Sequence, residues 1–192
     1  MMNSILEFFK ANQRIGIFIR RVIAFMVDWY FVAVLSNVGY MIVESIYRSV
    51  AENNWIEAYL RYLMPLMVVS VLYYVVVPCV VWNGQTVMQR AMQLKVSMVT
   101  GKKVNLRVLI KRFALCLVFE SQFYSLSTAL VTGIIITLPA SNRAIVSQVV
   151  GTAMLLFSLA SLVFSLLDKE KSMLFHDRLS RTYMVDMSKF PN

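Results

Sequence analysis

The sequence predicts an all-α integral membrane bundle with four transmembrane helices, on three observations. The 192 residues are 59% hydrophobic with mean hydropathy +0.66, above the roughly 45–50% apolar content of soluble domains. The apolar residues come in long blocks, as a bilayer requires. The 19 Lys and Arg residues cluster between those blocks, where loops on the cytoplasmic side carry them.

The first span covers about residues 22–43, VIAFMVDWYFVAVLSNVGYMIV. No small-residue cleavage site follows it, so it stays as an anchor, and Ile5, Leu6, Phe8 and Phe9 before it suit a short interfacial helix. The second span covers about 60–82, with Pro65 and Pro78 towards its ends, where a missing N–H disturbs least. The stretch 108–138 is apolar but interrupted by Lys111, Arg112 and Glu120. As one helix it would measure about 46 Å against a ~30 Å hydrocarbon core. It therefore splits into an interfacial helix over 105–119 and a third span over 121–138. Pro139, Ser141 and Asn142 make a turn, the fourth span covers 144–167, and a polar tail runs from Asp168. The whole chain, 1–192, reads as one membrane domain.

Charge orients the bundle. Residues 1–21 carry four Lys/Arg, 83–112 carry seven and no acid, and the tail from 168 carries five, whereas the loops 44–58 and 139–143 carry one each. Both termini and the 83–107 segment then face the cytoplasm. Net charge +9 suits anionic lipid, and no recognition motif accompanies it to suggest nucleic acid. Trp55, Tyr59 and Tyr62 fall at the outer interface and Trp82 at the inner one. Ser121, Ser125, Ala129, Gly133 and Thr137 recur every four residues, a small-residue face that lets helices approach closely, within the bundle or across a homo-oligomer seam.

Chemistry-bearing residues are few. Asp28 lies about 9 Å into the first span, where a carboxylate is costly without a partner, water or a proton. Arg21 and Ala24 share its face, and Arg112 is the cation expected to complete that stripe. Glu120 is a second buried-looking carboxylate. The pair reads either as an ion or substrate path or as a polar lock on helix register. Residues 83–96 read as a helix on the membrane surface, with Gln85, Gln89, Gln93 and Ser97 on one stripe. In the tail, His176 and Asp177 are adjacent and expected to point different ways. No serine or cysteine has the context of a nucleophile and no glycine loop cradles phosphate, so an enzyme is not expected. Cys79 and Cys116 read as small hydrophobes. Two cysteines and one histidine fall short of a four-ligand zinc site without carboxylates, so neither metal nor cofactor is expected.

These motifs together resemble the RDD family of small bacterial membrane proteins, named for an arginine and two aspartates. Arg21 and Asp28 match in RVIAFMVD, Gly84, Gln85 and Thr86 match a Gly-Gln-Thr motif, Arg112 matches a later arginine in VLIKRFAL, and Asp177 matches in HDRLSRT. The likeness covers about 20–185. Departures are Met88, Gln93 and Arg181, where the family usually has glycine, and Gln89, where it usually has lysine. The resemblance implies a protein of the cytoplasmic membrane, with transport of unknown ligands proposed for the family and cation–proton exchange for some members. Three functional classes follow: a transport-related protein of ions or small ligands, proton- or sodium-coupled; an accessory scaffold docking a partner or lipid on its basic face; and a lipid-acting enzyme lacking a visible nucleophile.

Overall fold

The computed structural model describes residues 13–47, 55–101, 103–121, 124–168 and 173–187; the patch at residues 5–9 lies outside them. The first apolar block is one helix, α1 (Gln13–Tyr47). Its buried residues Arg21, Ala24, Asp28, Val32 and Ser36 recur every three or four positions, so one stripe faces the interior. Met26, Tyr30, Met41 and Ile42 point outward.

The second block begins as α2 (Trp55–Val71), with Pro65 inside it. It continues as π-helical turns over Leu72–Val81, with Pro78 inside those. Pro78 thus sits in the last turn, near the end as expected, whereas Pro65 sits in the helix interior. The wider π geometry accommodates backbone groups left over where a proline offers no N–H. Pro65 packs where α1 carries Gly39; a Cβ there would lie 3.0 Å from the proline Cβ.

After a short α3 (Val87–Ala91), the chain forms β1 (Leu94–Met98). The stretch 108–138 divides as expected, into α4 (Leu106–Phe119) and α5 (Ser125–Thr137). The last long helix is α6 (Ala140–Leu167), followed by α7 (Phe175–Ser180) and β2 (Thr182–Asp186). Three segments are long and apolar enough to cross a membrane: Gly16–Ile46, Tyr59–Val81 and Ala140–Leu167. The third expected span, α5, has 13 residues, about 20 Å.

Two expectations are corrected. The chain is not wholly α-helical, because β1 pairs antiparallel with β2, Leu94 opposite Asp186 and Met98 opposite Thr182. Residues 83–96 are therefore not one surface helix. Helix α3 stops early, and Gln93 takes a left-handed φ of 56°. Beyond it LKVSM alternates apolar and polar, the strand period. Leu94, Val96 and Met184 are buried together, with Ile17 and Val104 packed against them. The expected glutamine stripe is broken at this turn. Gly101, with φ 72°, turns the chain after β1, its N–H donating to Met98 O at 3.0 Å.

The small-residue face of α5 packs inside the bundle. Tyr59 donates its hydroxyl to Ala129 O, and a Cβ on Gly133 would overlap the Tyr59 ring. Ser125 Oγ accepts from Trp29 Nε1 at 2.8 Å, and Ser121 is buried.

Gln93 and Arg181 both occupy left-handed backbone, φ 56° and 55°, which glycine adopts more easily. Gln93→Gly and Arg181→Gly are each expected to stabilise the detergent-solubilised protein by up to about 1 kcal/mol. Met88→Gly, inside α3, is expected to cost about 1 kcal/mol. Thermal melting checks all three.

Candidate functional site

The tail enters the bundle at α7. Asp177, in its first turn, accepts from Leu174 N at 3.3 Å and so caps its own helix. The carboxylate is fully buried. Arg21 of α1 donates to Oδ2, Arg112 of α4 donates from Nε to Oδ1 at 3.0 Å, and Thr182 Oγ1 donates at 3.3 Å. Burial alone would raise its pKa, but the charges of Arg21, His176 and Arg112 together hold it well below the usual carboxylate range. His176 and Asp177 do not diverge: His176 Nε2 lies 3.1 Å from Asp177 Oδ1, and Nδ1 lies 2.9 Å from Glu120 Oε2. Adjacent residues converge because a helix start lets the aspartate turn back over its own turn. Burial opposes a charged imidazole, yet Asp177 lifts His176 well above the usual histidine range. Arg21 Nη2 and Arg112 Nη2 also approach Nε2, at 3.3 and 3.1 Å. Glu120 is buried at the end of α4, and Ser161 of α6 donates to its Oε1.

Arg112 therefore does not complete the stripe with Asp28, because α4 faces α7 and the arginine is spent on Asp177. Asp28 is satisfied by neutral donors: the Tyr73 hydroxyl, the Thr86 hydroxyl and Met88 N at 3.2 Å. The Gly-Gln-Thr motif supplies one of the three, Thr86, and the first turn of α3 behind it supplies Met88 N. Thr86 caps α3, accepting from Gln89 N at 3.3 Å while donating to Asp28. Gln85 Nε2 donates to Leu94 O at 2.8 Å. Gly84 (φ 98°) accepts from Val96 N at 2.9 Å, so close that a Cβ would lie 2.7 Å from Val96 O. Gly84 and Gln85 thus hold β1 while Thr86 holds α1, and the motif as a whole ties the two together.

Sequence reasoning missed two contributors. Arg20 forms a two-pronged bond with Asp186, Nη1 to Oδ1 at 3.2 Å and Nη2 to Oδ2, and its Nη1 lies 3.3 Å from Met92 O. The doubled RR was the available signal. Cys116 lies one α4 turn before Glu120 and is buried with it; that spacing of four was the signal.

Arg21, Asp28, Arg112, Cys116, Glu120 and His176 all line a cavity of about 410 Å³. Its walls include Phe25, Tyr74, Phe113 and Tyr124, whose rings touch at 5.2 to 6.3 Å between centroids. The Tyr74 hydroxyl is buried without a hydrogen-bond partner among the described residues. The space thus has a polar end and an aromatic body, the usual character of a small-molecule pocket.

A family model described as the RDD family matches residues 16–181. No curated protein and no solved structure matches the chain.

Replacing Asp28 by asparagine turns an amide towards three donors. Asp28→Asn is expected to destabilise the protein by about 1–3 kcal/mol, read as an earlier transition in an SDS titration of mixed micelles. Thr86→Val is expected to produce a comparable loss.

Proposed function

Because the chain belongs to the RDD family, we propose that it is a protein of the bacterial cytoplasmic membrane with a transport-related role, taking an ion or small ligand into the cavity between the spans and the cytoplasmic ribbon. The observation that carries this reading is the 410 Å³ cavity, lined by charged groups and by a tyrosine hydroxyl that has no partner among the described residues. Proton or sodium coupling fits the family. The traffic is assigned to the cavity and not to Asp28, whose three donors leave the carboxylate engaged. The topology proposed with it has four passes and both termini inside, α5 with its flanking turns making the third.

A second reading is supported by the basic cytoplasmic surface. Arg90, Lys103, Arg107, Lys111, Arg178 and Arg181 are exposed, and on an accessory scaffold they would dock anionic lipid or an acidic partner.

Proteoliposomes carrying a pH-sensitive dye separate the two. A sodium or potassium gradient is expected to drive proton movement. Met26→Trp, at the exposed edge of the cavity, is expected to slow it roughly tenfold, about 1.4 kcal/mol in barrier, without loss of fold. Flux equal to protein-free vesicles contradicts transport of these ions and favours the scaffold.

A further inference from the structure

We propose that Cys116, Glu120 and His176 form a binding site for a divalent transition ion of the zinc type, with the fourth coordination position facing the cavity. One ligand atom from each of the three lies within 4.8 Å of the others, and all three residues are buried. Thiolate, carboxylate and imidazole are zinc's ordinary donors. In a tetrahedral site such atoms stand about 3.5 Å apart, so loading opens the 2.9 Å Nδ1–Oε2 contact slightly, while the other separations, none above 4.8 Å, close by at most about an ångström. All three line the cavity, the arrangement of a site with three protein ligands and one exchangeable position.

The surroundings are built for it. A metal-bound histidine almost always gives its other ring N–H to a carboxylate or carbonyl, and ligating carboxylates are themselves hydrogen-bonded. Here Nδ1 faces Glu120 at 2.9 Å, which leaves Nε2–H for Asp177 Oδ1 at 3.1 Å. Asp177 is fixed in turn by Arg21 and Arg112. Glu120 holds its other oxygen on Ser161, whose Oγ also accepts from Phe175 N at 3.2 Å. The two nearest cations, Arg21 and Arg112, are already bound by Asp177. The site holds whether or not the cavity carries a transported ligand.

The test uses the full chain, free of any affinity tag, stripped with chelator in detergent and titrated with cobalt(II). The expected result is one cobalt per chain with a thiolate-to-cobalt charge-transfer band, displaced by zinc. The band survives Cys79→Ser and disappears in Cys116→Ser, and Ser161→Ala weakens binding about 10–100-fold. A wild type without the band, or a band that persists in Cys116→Ser, overturns the proposal. Should Cys116→Ser fail to fold, X-ray absorption of the zinc-loaded wild type decides. One sulfur at about 2.3 Å with nitrogen and oxygen supports the site; no bound zinc, or a shell without sulfur, overturns it.

Discussion

Asp177 is a carboxylate with no exposed surface, and such a group survives burial only when paired and hydrogen-bonded. Arg21 reaches it from α1, Arg112 from α4, and Thr182 from β2. One side chain therefore joins α1, α4 and the tail. Much else depends on that junction. It seats α7, which sets the start of β2, which provides the partner for β1. Arg20 then fastens the far end of β2 to α1. The arginine pair RR is split between two jobs, one for each end of the last segment.

Asp28 secures the other half of the ribbon. It collects donors from the π-helical turns and from the Gly-Gln-Thr segment, so β1 and β2 hang from α1 by separate carboxylates a few turns apart. The arginine and two aspartates of the family name thus have one structural meaning in this chain. They fix the two-stranded ribbon across one end of the bundle, and the cavity forms between the two.

Three of the four expected spans were legible because hydropathy is a strong signal, and so was the break in 108–138, where Glu120 interrupts the apolar run. Burial of Asp28 and Glu120 could be read from their place in those blocks; their partners could not. Arg112 could equally have served Asp28 or Asp177, and only tertiary packing chose. The ribbon was hidden because five-residue strands carry little periodic signal, and the glutamines at every fourth position favoured a helix. A left-handed Gln93 is unusual for a residue with a side chain, so nothing in its identity announced the turn. The Cys116 cluster was invisible because its third member lies 56 residues beyond Glu120.

The central claim is that the Arg21–Asp177 pair holds the tail against the spans by mutual compensation. A double-mutant cycle with Arg21→Met and Asp177→Leu, measured by SDS titration in mixed micelles, tests it most directly. Asp177→Leu takes the shared carboxylate from both buried arginines and is predicted to cost about 3–5 kcal/mol, whereas Arg21→Met leaves Asp177 paired with Arg112 and is predicted to cost less. The double variant removes one charge of each sign and is predicted to cost clearly less than the sum. Strictly additive losses would contradict the account and place the stability of the tail elsewhere.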